Sequence, residues 1–291
     1  LWYDSTNKDW KYQYANVTSA GSWRTGGNLN TGRNKPAGFG TQDSTMSAGG
    51  GVNDNAASAL SEVYNGTSWT EVNDLNTARA FLAGAGADST DGLAFGGDTP
   101  TKVANNEKYN GTNWTELADL NTARNTLAGA GTSTAAIATG GYVSAKSALN
   151  ELWNGSAWTE VNDLNTARNG LAAGPQGTEI WNGTNWTEVN DLNDNRQHTG
   201  GSGNSTAALC SGGDNPGNTA NVELWNGTNW TEQNNLSTAR KELVGSGSAT
   251  SGLVFAGSTA ENTFVTTSEE WTGAGAAVGA WATGNSLNTA R

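Results

Sequence analysis

Seven arginines in this chain each stand ten residues after a tryptophan: Trp23/Arg33, Trp69/Arg79, Trp114/Arg124, Trp158/Arg168, Trp186/Arg196, Trp230/Arg240 and Trp281/Arg291. Guanidinium groups repeated at one place of a symmetric fold would encircle a channel and could hold an anion. Five motifs also carry a glutamate eight residues before the arginine, namely Glu71, Glu116, Glu160, Glu188 and Glu232. An Arg–Glu or Arg–carbonyl tie inside each motif is therefore the preferred reading. Other reactive groups are scarce. His198 is the one histidine and Cys210 the one cysteine, which excludes disulfide frameworks and cysteine zinc clusters and removes most histidine-dependent sites. His198 follows a repeat arginine by two residues, where other units hold Phe81, Thr126, Gly170 and Glu242, so it reads as a strand-entry position and not a catalytic base. Cys210 replaces Ala94 and Ala138 of other units and reads as a small buried hydrophobe. Asp88-Ser89-Thr90-Asp91-Gly92 lacks the ligand count of a calcium loop. No catalytic residue, metal or cofactor is expected.

The repeat that carries these residues is built of strands. Successive arginines lie 46, 45, 44, 28, 44 and 51 residues apart. After Arg79 a small, apolar run, Ala80-Phe81-Leu82-Ala83-Gly84-Ala85-Gly86, suits a crowded inner strand, and Gly92-Leu93-Ala94-Phe95 suits a second. Glu107-Lys108-Tyr109 and Trp114-Thr115-Glu116-Leu117 flank Asn110-Gly111, a hairpin signal that recurs at Asn65-Gly66, Asn154-Gly155, Asn182-Gly183 and Asn226-Gly227. Four short strands in about 44 residues is the size of a propeller blade. The repeated Trp69, Trp114, Trp158, Trp186 and Trp230 are expected in the core between blades. Asn110 and Asn113 begin overlapping glycosylation sequons, repeated at 182/185 and 226/229, which read as by-products of the turn chemistry.

In four units a diglycine (Gly50-Gly51, Gly96-Gly97, Gly140-Gly141, Gly212-Gly213) precedes an aromatic (Tyr64, Tyr109, Trp153, Trp225), with Trp181 at the same place in a further unit, then the spaced tryptophan and the arginine. This order resembles the kelch repeat over essentially the whole chain and implies an all-β, kelch-type β-propeller. About seven blade positions are expected, with six as the alternative, and one or two blades reduced to an outer hairpin. The unit 169–196 is 16 residues short and lacks the diglycine strand. Adjacent strands in a blade run antiparallel, so losing two strands preserves chain direction where losing one would not; a two-stranded unit is expected there. The units are 34–79, 80–124, 125–168, 169–196, 197–240 and 241–291, with 1–33 as an irregular segment supplying outer strands and ring closure, its clearest strand at Trp10-Lys11-Tyr12-Gln13-Tyr14. Galactose-oxidase-type enzymes share this propeller, but their copper site takes two histidines, which excludes that reading for a chain with one.

Composition limits the partners. Lys+Arg 15 against Asp+Glu 27 gives a net charge of −12, which argues against nucleic acid, and no apolar run approaches the ~20 residues of a membrane span. The segments that differ between otherwise near-identical units follow the diglycine. They contain Asn53 and Asp54, Asp98 and Lys102, Tyr142 and Lys146, and Asp214 and Asn215, and are expected to cluster on one face as the ligand-binding loops. Their polar character suits a glycan or protein surface.

The phrases Trp-Asn-Gly-Thr-Asn-Trp-Thr-Glu and Leu-Asn-Thr-Ala-Arg, and the opening Leu1-Trp2-Tyr3-Asp4-Ser5-Thr6-Asn7-Lys8, are similar to those of kelch-like marine bacteriophage fibre and appendage proteins. The resemblance implies a non-enzymatic component of the virion surface, extracellular in action, in a tail fibre or attached to the capsid. Its implied partners are other virion proteins and a host-surface glycan or receptor, with a homotrimer if it belongs to a fibre. The start at Leu1 without methionine is read as a piece of a longer polypeptide. A bacterial extracellular binding module and a carbohydrate-active enzyme are the alternative readings.

Overall fold

The computed structural model describes residues 2–4, 9–11, 21–52, 56–170 and 177–273, and among these there are strands and turns but no helix. Five antiparallel four-stranded sheets form. The first has strands Ala37–Thr41, Ser44–Ala48, Ser61–Tyr64 and Trp69–Val72. The second has Ala83–Asp88, Asp91–Phe95, Asn106–Tyr109 and Trp114–Glu116, and the third Ala128–Gly131, Ala136–Thr139, Asn150–Trp153 and Trp158–Val161. Gly200–Asn204, Ala207–Ser211, Val222–Trp225 and Trp230–Gln233 make another. The last joins Val244–Gly247, Ser251–Phe255 and Ser268–Thr272 to the N-terminal strand Ser22–Thr25. First strands of neighbouring sheets contact one another side by side, 128–131 with 83–88, 83–88 with 37–41, 37–41 with 244–247 and 244–247 with 200–204. The sheets are thus wedges about a common axis, a β-propeller.

The unit 169–196 contributes a two-stranded sheet, Thr178–Trp181 with Trp186–Val189. Residues 22–33 add no separate sheet, because Ser22–Thr25 supplies the outer strand of the last one, pairing Trp23 with Trp271. Asp9–Lys11 pairs with Trp2–Asp4, while Tyr12–Tyr14, Trp281 and Arg291 lie outside the described residues.

The aromatic spacing follows from strand register. An aromatic sits directly opposite the outer-strand tryptophan in each four-stranded sheet and in the two-stranded sheet of 169–196: Tyr64/Trp69, Tyr109/Trp114, Trp153/Trp158, Trp181/Trp186, Trp225/Trp230 and Trp271/Trp23, with ring centroids 5.1–5.4 Å apart. Phe255 and Phe95 reach across to Trp69 and Trp158 of neighbouring sheets at 5.0 and 4.9 Å, so these sheets share cores. Trp69, Trp114, Trp158 and Trp230 are buried, and Trp186, in the two-stranded sheet, is half-buried. The intervening hairpin is a four-residue loop. In 65–68, Gly66 alone takes positive φ, while the Asn65 side chain accepts the amides of Thr67 and Ser68 at 3.0 and 2.9 Å. Asparagine therefore acts in this turn as a hydrogen-bonding cap, and glycine alone supplies the left-handed backbone. Both asparagines of the 110/113 sequon are engaged in this way or across sheets, Asn113 accepting from Asn73 at 2.7 Å.

The arginines do not pair with the glutamates eight residues earlier, which are exposed on the outer strands. Each pairs instead with a glutamate two residues before the next third-strand aromatic: Arg33–Glu62, Arg79–Glu107, Arg124–Glu151, Arg168–Glu179, Arg196–Glu223 and Arg240–Glu269. The same carboxylate accepts a main-chain amide of the peptide entering the sheet, from Asn30, Asn76, Asn121, Asn165, Asn193 and Ser237 in turn, at 2.7–2.9 Å. Arg79, Arg124 and Arg196 also donate to second-strand carbonyls of Ala94, Ala138 and Cys210, at 3.1–3.2 Å. Burial pushes the guanidinium groups of Arg33, Arg79, Arg124 and Arg240 below the ordinary arginine value, against the opposing pull of their glutamates.

The diglycine completes the joint. Gly50, Gly97, Gly141, Gly213 and Gly257 donate N–H to the carbonyls of Arg79, Arg124, Arg168, Arg240 and Arg33, at 2.9–3.0 Å. In the first unit the pair is Gly49-Gly50 and not Gly50-Gly51, and in the last it is Ala256-Gly257. A Cβ at Gly96, whose φ is 64°, would lie 2.8 Å from the Arg124 carbonyl oxygen.

Breaking a buried ion pair from one side costs about 3–5 kcal/mol. Glu151→Leu should therefore lower the unfolding free energy by about that amount, measured by urea titration. Glu160→Gln, directly opposite Glu151 but exposed, should change it by no more than ~0.5 kcal/mol.

Candidate functional site

The two residues after each arginine build one end of the axis. The first bridges to the residue after a diglycine: Asn34 to Gly51, Ala80 to Asp98, Asn125 to Tyr142, Gln197 to Asp214 and Lys241 to Ser258. The loops 98–102, 142–146 and 214–218 therefore open on the same face as the starts of the inner strands. The second residue takes positive φ in every unit: Lys35 42°, Phe81 57°, Thr126 50°, Gly170 69°, His198 56° and Glu242 60°. These six pass a main-chain hydrogen bond from sheet to sheet. Lys35 N–H donates to Glu242, Glu242 to His198, His198 to Gly170, Gly170 to Thr126 and Thr126 to Phe81, at 2.8–3.3 Å. Between Phe81 and Lys35 the contact is by side chain, the ammonium lying 5.0 Å from the ring centroid. Left-handed backbone costs a non-glycine residue on the order of 1 kcal/mol. The strain is spent on a collar around the axis whose side chains are free to differ.

The collar bounds an axial cavity of about 500 Å³, walled by glycine-rich inner strands including Gly38, Gly84, Gly129, Gly201 and Gly245. At its mouth Lys35 pairs with Glu242 at 3.3 Å, and Glu242 also accepts from the Asn34 amide at 2.7 Å. His198 Nδ1 meets Asp214 Oδ1 at 2.8 Å, and Lys241 Nζ lies 3.8 Å from Asp214 Oδ2. Burial raises the Glu242 carboxyl, but Lys35, the Asn34 amide and His198 together outweigh it and hold the group below the usual carboxylate range. Burial lowers the Lys35 ammonium, against the pull of Glu242. The His198 imidazole lies against Gly170, where a Cβ would stand 2.8 Å from His198 Cδ2. No hydroxyl hydrogen-bonds the imidazole among the described residues, so a Ser-His-Asp arrangement is not assembled there.

A second hollow, about 300 Å³, adjoins the collar between Phe81, Asn125, Thr126, Tyr142 and Asn169. Asn125 donates to Asp98 at 2.8 Å, and Lys102 Nζ lies 5.0 Å from the centre of the Tyr142 ring. The structure thus brings together Asp98, Lys102 and Tyr142 on one side of the face and sets Asp214 beside His198 on another. Lys146 is exposed and bridges Tyr142 through its backbone, Asn215 donates to the Asn195 carbonyl, and Asn53 and Asp54 lie outside the described residues. Cys210 is buried, and burial pushes its thiol up. Asp88 accepts the amide and hydroxyl of Thr90 within its own turn.

The collar is what the sequence reading missed. Lys35, Phe81, Thr126, Gly170, His198 and Glu242 share no residue type, in a position two residues from the repeat arginine. That contrast, together with the placing of the lone histidine in it, was the available signal.

No protein-family model and no curated protein matches this chain. Among solved structures, that of YjhT matches with a TM-score of 0.65 at 14% sequence identity, covering 83% of this chain and 95% of that one. The likeness shows the fold, an all-β propeller.

Burial, then the charge of Lys35, lower the His198 pKa against the pull of Asp214. The unfolded chain therefore binds the extra proton first, and the stability contributed by neutral His198 is present above pH ~6.5 and lost as pH falls below it. The drop in melting temperature between pH 7.5 and 5.5 should be smaller in His198→Gln than in the parent, as read by thermal denaturation at both pH values.

Proposed function

We propose that this chain is a non-enzymatic, kelch-type propeller with six ring positions, the two-stranded sheet filling one, and that it binds ligand on the collar face. The observation that carries this reading is the division of labour among its residues. Repeated residues are consumed by joints between sheets, whereas the residues that differ between units converge on one face, around the axial cavity and the Phe81/Tyr142 hollow.

The hollow favours a glycan. Phe81 and Tyr142 supply flat apolar surface, Asn125 and Asn169 supply amides, and Lys102 adds a cation beside the ring. Sugars offer an apolar C–H face ringed by hydroxyls, which such a combination satisfies. The phrase-level similarity to bacteriophage fibre and appendage proteins supports a place on the virion surface, in a tail fibre or on the capsid, with other virion proteins as structural partners and a host-surface glycan as ligand.

A glycan-array screen followed by calorimetry tests the reading. A surface glycan should bind, and Tyr142→Ala or Phe81→Ala should weaken it at least fivefold, about 1 kcal/mol. Glu188→Gln on an outer strand should leave binding unchanged. Absence of binding across host glycans, or equal loss from both kinds of variant, would contradict the glycan reading. Absence of the polypeptide from purified phage particles would contradict the virion one.

A further inference from the structure

We propose that the two-stranded sheet of 169–196 is a docking site for one extended strand of another polypeptide, which adds antiparallel to the inner edge of Thr178–Trp181. In each four-stranded sheet the third strand pairs on both sides, whereas Thr178–Trp181 pairs only with Trp186–Val189 among the described residues. The Asn182 amide closes that hairpin on the Asn185 carbonyl. Alternation then turns the N–H and C=O of Glu179 and Trp181 away from the outer strand. They face the side on which Glu151 and Trp153 meet Ala138 and Ala136 in the preceding sheet. Neither finds a main-chain partner there among the described residues. Asn150 lies 24 residues after Thr126, but Thr178 lies only 8 after Gly170. The shortfall of 16 exceeds the 12 residues, 128–139, that make the inner hairpin of the preceding unit. The short unit lacks the length to supply its own.

That edge lies along an apolar bay of the axial cavity. Around most of the axis the cavity is lined by first strands and the residues that enter them. On this side it also reaches Ala208, Leu209, Cys210 and Trp230, from the second and fourth strands of the next sheet. Elsewhere a second strand of the preceding sheet covers such a tryptophan, Phe95 meeting Trp158 at 4.9 Å and Phe255 meeting Trp69 at 5.0 Å. Among the described residues no second strand precedes Trp230 to do so. Ile180 packs against Cys210, Trp225 and Trp230, and Thr178–Trp181 is half-buried along its length.

The complete units define the chemistry of the occupant. Four of their second strands contain Gly92-Leu93-Ala94-Phe95, Ala136-Ile137-Ala138-Thr139, Ala208-Leu209-Cys210-Ser211 and Gly252-Leu253-Val254-Phe255, none of them charged. Gly92 and Ala94, opposite the aromatic and the glutamate, are small, while Leu93 and Phe95 pack with Trp153 and Trp158 of the next sheet. A charged donor awaits the same strand. Arg79, Arg124 and Arg196 donate to the carbonyl of the residue opposite their glutamate, namely Ala94, Ala138 and Cys210. Arg168 donates to no such carbonyl among the described residues, and its side chain is 11% exposed where those three are 0%. An entering strand supplies this acceptor together with the partners of Glu179 and Trp181. Its main chain gives the affinity and its alternating small and large apolar residues the specificity. A second folded copy does not offer that strand, because the four segments of this pattern are interior and paired on both sides. The site shares no residue with the Phe81/Tyr142 hollow and does not rest on the glycan reading.

An acetylated and amidated peptide with the sequence of Gly92–Gly97 serves as the probe, read by hydrogen–deuterium exchange of the full chain. The amides of Glu179 and Trp181 should exchange readily without it and about tenfold more slowly near saturation. The peptide N-methylated at the residues matching Gly92 and Ala94, or carrying Phe95→Ala, should protect them several-fold less. If Glu179 and Trp181 are as protected as Glu151 and Trp153 without any peptide, the edge is filled from within the chain and the proposal fails. Protection that rises with protein concentration alone would overturn it in favour of a second copy. No slowing at either amide with peptide in large excess, or equal slowing by the N-methylated form, would overturn it as well.

Discussion

The interaction on which the architecture depends is a buried carboxylate that accepts from three directions. Glu107 takes the amides of Asn76 and Thr77 and the guanidinium of Arg79, which itself reaches a second-strand carbonyl. One side chain thus fixes the peptide that leaves one sheet against the third strand of the next. A charge buried in this way needs its partners present at once, so the peptide, the arginine and the strand must assemble together. Repeated around the axis, the joint makes each sheet dependent on the one before it, as expected of an array stabilised by nearest-neighbour contacts.

The diglycines belong to the same joint. Their amides reach the arginine carbonyls, and the close approach leaves no room for a side chain. Arginine is therefore gripped at both ends, by its guanidinium and by its carbonyl. This fixes the two residues that follow it, and the left-handed backbone of the second turns the chain toward the axis. The collar is a consequence of the joint: once the arginine is held, the side chain two residues on is free to differ from unit to unit. The two-stranded sheet shows what happens when part of the joint is missing. Among the described residues Arg168 donates to no second-strand carbonyl, keeping the bond to the carbonyl two residues before its glutamate, Gly177, as Arg79 does to Asn105, while Thr178–Trp181 is only half-buried.

Much of this was legible in the sequence. The tryptophan-to-arginine spacing and the Asn-Gly turns point to short antiparallel strands in a repeated array, because they recur at a fixed place in each unit. The arginine's partner was not legible. Glu151 and Glu160 lie opposite one another in register, and the same holds for Glu62 and Glu71; alternation cannot separate them. Depth in the wedge does, since the third strand is interior and the fourth forms the rim. The glycine frame in Gly49-Gly50-Gly51 was ambiguous for a similar reason, three identical residues leaving the register open. The collar escaped because its members are united by backbone conformation and not by residue type.

The joint predicts a pattern of amide exchange that no other feature of the fold would produce. In native-state hydrogen–deuterium exchange, the main-chain amides of Asn121 and Asn193, each bonded to a buried carboxylate, should exchange only with opening of the whole structure, although they lie in connecting peptides. The amide of Asn165, bonded to Glu179 at the more open two-stranded sheet, should exchange faster. Protection at Asn121 and Asn193 no greater than that of neighbouring loop amides would contradict the claim that these carboxylates hold the propeller together.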